Sequence, residues 1–197
     1  MTPVFGSEGR AQFFKSVRAA RLFGPTLETS EVQGCEAVLA AMNGAPLSHC
    51  AYALATAFHE TAKTMQPVRE AFWLSEAWRK AHLRYWPWYG RGYVQLTWEG
   101  NYRRADLEAA QAGLISAGAL LANPDLAMRP DLAAFIMRRG MTEGWFTGRG
   151  LARYLPDRIA TFDQFKAARA IINGTDKAHS IAVYALQFQD ALVLGGW

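Results

Sequence analysis

The sequence predicts a mainly α, α+β fold with a small central β-hairpin and a substrate cleft. Three observations predict it. Apolar residues recur at helical spacing in both the N-terminal and the C-terminal parts of the chain. Between them, residues 63–97 break that period with prolines, glycines and a crowd of aromatics. Within this break, a short stretch at 92–97 alternates and is rich in strand formers. Helices on both sides of a small β element point to two helical parts joined across a cleft.

The elements follow in order. A first helix is predicted over 7–22, stopped by Gly24 and Pro25. A second spans 30–42, where Val32, Cys35, Leu39 and Met42 share a face. Ser30 and Gln33 form its capping box, and Asn43 with Gly44 stops it. The third, over 47–62, places Cys50, Leu54 and Phe58 one turn apart and carries His59 and Glu60 at its end. The irregular middle contains Pro67, Pro87, Gly90 and Gly92. It also holds Phe72, Trp73, Trp78, Tyr85, Trp86, Trp88 and Tyr89. Thr97 is placed to cap a helix beginning near Trp98. Pro130 suits the first turn of a helix over 130–140. Thr161 and Gln164 form another capping box, for a helix ending at Asn173 and Gly174. The last helix starts near Asp176 and aligns Ile181, Tyr184, Ala185, Phe188 and Leu192. No internal repeat or linker appears, so the 197 residues are expected to form one domain without a separate binding module.

Composition narrows the partners. The formal charge of +4 and pI near 9.2 favour anionic polymers in general. Arg103-Arg104 and Arg138-Arg139 are short, scattered clusters that read as solvated helix faces, and no basic nucleic-acid motif is present. Nucleic acid is therefore not an expected partner. The two cysteines, Cys35 and Cys50, form no C-x-x-C pair and are expected as buried thiols, with a bridge between them left open. The N-terminus has no signal-peptide pattern, and no apolar run is long enough to span a bilayer. Synthesis in the cytoplasm without stable membrane insertion is the expectation. Aromatics make up 13% of the chain, seven of them Trp, which suits either a large core or a sugar-stacking cleft.

Chemistry concentrates around the middle segment. Glu60 ends an apolar helix, where contact with side chains such as Phe58 is expected to disfavour its ionised form, as a general acid requires. Glu70 follows ten residues later, beyond Pro67, in a setting expected to be better solvated. Two carboxyl groups in unlike environments are the minimum equipment for glycoside hydrolysis. Glu76 is an equally near competitor, and His59 stands alone. Lys63 occupies the position at which an H-E-x-x-H metal motif needs its second histidine, so neither a metal nor an organic cofactor is expected.

Taken in order, HETAKTMQPVRE (59–70), WYGRGYVQLTWEGNY (88–102) and ARAIINGTDKAHSIAVYALQF (168–188) closely resemble glycoside hydrolase family 19. That family comprises the plant-type chitinases and many phage and prophage endolysins. NPDLAMRPDLAAF and GWFTGRGL also resemble its bacterial and phage branch, and the likeness covers about 47–192. The resemblance implies a lysozyme-like, two-lobed helical fold and an inverting mechanism. It puts Glu60 at the acid position, Glu70 at the base position, and Thr97 where a Ser/Thr helps hold the attacking water. Gln95, Asn101 and Asn173 fall on substrate-contacting positions, and Tyr93, Tyr102 and Arg91 in the same segment are further candidates for substrate contact. For Arg91, a bracing role in the loop is the stronger reading. Inversion implies carboxyl groups roughly 6.5–9.5 Å apart. Two features depart from the plant pattern. Ser180 stands where plant members carry an arginine, and their disulfide framework is missing. The expected activity is an endolysin-type cut in the β-1,4-linked glycan strands of peptidoglycan, by a monomer that reaches the wall through a separate membrane pore. A chitinase acting on N-acetylglucosamine polymers is the alternative within the enzyme class, and a non-catalytic carbohydrate-binding relative the alternative outside it.

Overall fold

The computed structural model describes residues 6–197. In chain order it contains α1 (Ser7–Ala19), α2 (Thr29–Ala41), α3 (Leu47–Glu60), β1 (Val68–Arg69), α4 (Glu76–His82), β2 (Arg91–Gly92) and α5 (Glu99–Gln111). There follow α6 (Ala119–Ala122), a 3-10 helix (Pro124–Met128), α7 (Pro130–Glu143), a second 3-10 turn (Leu151–Arg153), α8 (Phe162–Ala168), a third (Arg169–Ile171) and α9 (Ala178–Leu194). Helix dominates, and the sheet is a single antiparallel pair of β1 with β2. The predicted mainly α class holds.

α3 is the central helix, buried at every position from Leu47 to Phe58. Its alanines at 51, 53, 55 and 57 keep it slim, so α9 packs closely along it, while α2 covers another side. Phe58 sits among Phe23, Tyr184 and Phe188, with ring centroids 4.9–5.9 Å away. A second apolar cluster gathers Leu96, Tyr102, Ala105, Ala109, Leu120, Leu132, Ile136 and Trp145. α7 is the wall common to both. Leu132 and Ile136 face the second cluster, and Ala133, Ala134, Met137 and Met141 face the first. Cys35 and Cys50 lie in the first cluster as free thiols, and burial pushes both up from the ordinary thiol range. Among the described residues, no helix is long and apolar enough to cross a membrane.

Local expectations are met at several ends and corrected at others. Pro130 begins α7, and Thr161 caps α8 in a reciprocal box with Gln164. α2, however, starts one residue earlier than expected and is capped by Glu28 with Glu31, not by Ser30 with Gln33. An acidic pair at that end answers both the free N–H groups and the helix dipole. The helix expected to run to Asn173 breaks into α8 and a 3-10 turn at Arg169. α4 was not foreseen. Ser75 caps it by accepting from the Trp78 amide at 3.1 Å, a local signal lost among the aromatics.

The predicted hairpin at 92–97 is also different. Only Arg91 and Gly92 are strand, paired with Arg69 and Val68, and the chain then turns back so that Leu96 bridges Arg91. Gly92 takes φ 89° and Gln95 φ 53° to make that turn. Tyr93, Val94 and Leu96 are all buried, so the apparent alternation does not divide inside from outside.

Candidate active site

Glu60 is the last residue of α3, and its carboxyl is partly exposed at 19%. The apolar contact expected from Phe58 is not made, because residues two apart on a helix point away from each other. Instead Oε1 accepts from Nη1 of Arg169 at 2.7 Å. Arg169 is 2% exposed and is fixed by its Nε, which donates to the Asp176 carbonyl at 2.8 Å. The setting of Glu60 is therefore ionic. This arginine is not singled out by the sequence reading, although a cation one turn beyond the buried Phe165, just past the end of α8, is itself a signal that an anion waits there. The position aligned with the plant arginine, Ser180, is not the one that supplies the cation.

Residues 61–67 lead from Glu60 to β1 in a tightly tied connection. The Thr61 hydroxyl donates to the Ala57 carbonyl at 2.7 Å and accepts from the Met65 amide at 3.0 Å. Glu70 follows directly after β1, half-buried rather than loosely solvated. Its Oε1 accepts from the Tyr85 hydroxyl at 2.7 Å, and its Oε2 from the Gly90 amide at 2.9 Å. Its own amide donates to the Gly90 carbonyl at 2.8 Å, so carboxylate and backbone are gripped by the same residue. Tyr85 packs edge-on against Trp98, 4.9 Å between centroids. A Cβ on Gly90 would lie 2.6 Å from Gln95 Oε1 and 3.2 Å from Glu70 Oε2. Gly90→Ala is thus expected to displace both side chains, to cost about 1–3 kcal/mol, and to lower turnover more than substrate affinity. Denaturant titration alongside steady-state kinetics measures both.

The remaining candidates divide into buried supports and partly or fully exposed residues. Tyr93 and Tyr102 correct the expectation of substrate contact, and Arg91 takes the bracing role, since all three are buried with their polar atoms engaged inside the protein. Tyr93 donates to the Met65 carbonyl at 3.1 Å. Tyr102 donates to the Tyr89 carbonyl at 2.9 Å and accepts from Arg91 at 3.0 Å. Arg91, 4% exposed, also bonds the Pro87 and Tyr89 carbonyls and Asp125, and lies 3.6 Å over the Tyr89 ring. Arg91 and Arg69 are cross-strand partners, a repulsive pairing that Asp125 resolves by accepting from both at 2.7 and 2.9 Å.

Gln95 and Thr97 are half-buried. Gln95 donates to the Val68 carbonyl at 3.0 Å. The Thr97 hydroxyl donates to the Gln95 carbonyl at 2.7 Å and does not cap α5, whose cap is Trp98 at φ 74°. Asn101 donates to the Thr97 carbonyl at 2.9 Å, so the three form one connected edge. Asn173 is exposed beyond the Arg169 turn, its amide closing on the Arg169 carbonyl. It is tied to the Glu60 end of the site through Arg169, and the other three to the Glu70 end through Gln95 and Gly90.

Glu76, the competing carboxylate, is committed to scaffolding. It accepts from Arg79 Nε, Trp86 Nε1 and the Tyr89 hydroxyl at 2.8–2.9 Å. Burial opposes its charge, but the bonds from Trp86, Arg79 and Tyr89 outweigh it and hold the carboxyl down at about 2, against an ordinary 4.5. A depressed carboxyl contributes stability above its unfolded value and loses it as pH falls through the folded one. The melting difference between the wild type and Glu76→Gln is expected to be full above about pH 4.5 and to vanish toward pH 2. A difference constant across that range would rule the linkage out.

The fold that holds these residues is the one seen in family 19 chitinases. Chitinase C from Streptomyces griseus is similar over 95% of this chain and 78% of its own, with 21% identity and a TM-score of 0.58. A mutant of chitinase C covers 97% of this chain at a TM-score of 0.50, and a bacterial family 19 chitinase 96% at 0.51, both at 21% identity. No protein-family model and no curated protein matches the chain.

Proposed function

We propose that the protein is an inverting glycoside hydrolase that cuts β-1,4 bonds in the glycan strands of bacterial peptidoglycan, in the manner of an endolysin. The observation that carries this reading is the pair of glutamates held by unlike partners at the two ends of one short connection. Glu60 pairs with a buried guanidinium, and Glu70 accepts from a phenol and a backbone amide. Their setting in a fold shared with family 19 chitinases supports it.

Arg169 engages Oε1 of Glu60, and among the described residues Oε2 has no partner. With Oε1 held by Arg169, Oε2 is the oxygen through which Glu60 delivers a proton to the glycosidic oxygen. Glu70 accepts the proton of the attacking water, held in place by two donors that keep its lone pairs oriented. Thr97 and Gln95, on the edge beside Gly90, orient that water and the sugar that receives it. Each of their hydroxyl and amide groups keeps unused hydrogen-bonding capacity beyond its backbone contact. The reaction needs neither a metal nor an organic cofactor.

The net charge of +4 favours an anionic wall polymer over neutral chitin. Hydrolysis of N-acetylglucosamine polymers is the second reading, favoured by the chitinase character of the structural neighbours. Digestion of purified peptidoglycan and chitin, followed by mass spectrometry of the new ends, separates the two. Faster cleavage of peptidoglycan is the expected result. Cleavage of chitin alone establishes the second reading, and binding without cleavage of either establishes a non-catalytic relative.

A further inference from the structure

The turn that follows Glu70 presents an unusual surface. Phe72 is 68% and Trp73 72% exposed, their rings edge-to-face with centroids 5.2 Å apart. The turn is nevertheless built with care. The Leu74 amide donates to the Ala71 carbonyl at 2.9 Å, and Ala71 adopts φ 49° to close it. Nη1 of Arg79 donates to the carbonyls of Ala71 and Leu74, at 2.8 and 2.7 Å, clamping both ends of the turn. Arg79 is only 5% exposed and is itself fixed by Glu76 at 2.9 Å. Two large aromatics are thus kept in water by a turn clamped on a buried guanidinium, when packing them inward would gain hydrophobic burial.

We propose that Phe72 and Trp73 form a sugar-stacking subsite that extends the cleft from Glu70, taking an N-acetylated sugar of the polymer beyond the cleaved bond. The proposal rests on the hydrolase reading above. Aromatic faces suit the C–H faces of pyranose rings, and a clamped turn meets them with little ordering cost. Chain continuity places the pair two and three residues from the proposed base. Residues 71–75 carry no cation, and Glu76 follows them, so the tip lacks the positive charge that binding to an anionic lipid surface uses.

The test measures binding in the Glu60→Gln protein, with and without Trp73→Ala, for chito-oligosaccharides from the disaccharide to the octasaccharide and for isolated peptidoglycan strands. Trp73→Ala removes only an exposed ring, and equal melting temperatures verify that the fold is intact. The expected result is affinity for the longest chains reduced by about tenfold, with the loss shrinking as the chains shorten. Equal affinity at every length overturns the proposal. So does binding of wild-type protein to phosphatidylglycerol vesicles that Trp73→Ala abolishes while glycan affinity stays constant. Length-dependent binding without hydrolysis by the wild type overturns the hydrolase reading and leaves the subsite standing. Intact hydrolysis with no effect of Trp73→Ala overturns the subsite alone, and absence of glycan binding overturns both.

Discussion

Glu60→Gln is expected to lower kcat by about 10³-fold, within the range that a general acid supplies, while KM changes little. The substitution removes the transferable proton and keeps the shape. The Gln amide oxygen still accepts from Arg169, so the buried guanidinium keeps a neutral partner at a cost of roughly 1–3 kcal/mol. That distinction matters because Arg169 is 2% exposed and, among the described residues, pairs with the Glu60 carboxylate alone. Glu60→Ala would confound catalysis with folding, since it leaves the cation buried and unpaired. Melting curves and single-turnover rates on the same Glu60→Gln protein separate the two effects. A kcat within a few-fold of the wild type would remove Glu60 from the chemistry.

The second large effect is on stability. Arg91→Ala is expected to destabilise the protein by about 3–5 kcal/mol, lowering the melting temperature by roughly 10 °C or more. Arg91 bridges Asp125, two backbone carbonyls and the Tyr102 hydroxyl, all from a site that water barely reaches. Its removal strands the Pro87 carbonyl, leaves the Tyr89 carbonyl with Tyr102 alone, and frees Asp125 from β2. Lysine is not a substitute, because a single ammonium cannot span acceptors that a planar fork reaches together. The same change separates brace from ligand contact: a substrate-binding arginine would raise KM and leave the melting temperature where it was.

How much of this was legible in sequence depends on whether the cause was local. The start of α3 at Leu47, the first turn of α7 at Pro130 and the Thr161 box of α8 follow from spacing and capping, and the structure has all three. The mainly helical class follows from the same periodicity. The errors arose where distant residues decide. Arg169 reaches Glu60 across 109 positions, and nothing near either residue names the other. Tyr102 looks like a cleft residue because it is polar and lies in a glycine-rich segment. It is instead consumed in holding that segment, together with Arg91, whose bracing role the sequence suggests, and Asp125. The turn at 92–97 alternates in composition, yet Gly92 and Gln95 at positive φ fold it back so that Tyr93 is buried together with Val94 and Leu96. Tertiary packing there overrides a strand preference.

The central claim is that Glu60 and Glu70 act as acid and base in a single displacement at the anomeric carbon. Proton NMR of the freshly cut product, recorded before mutarotation, tests it most directly. Cleavage of a β-linked strand with inversion predicts that the α-anomer appears first at the new reducing end. Initial formation of the β-anomer would contradict the mechanism.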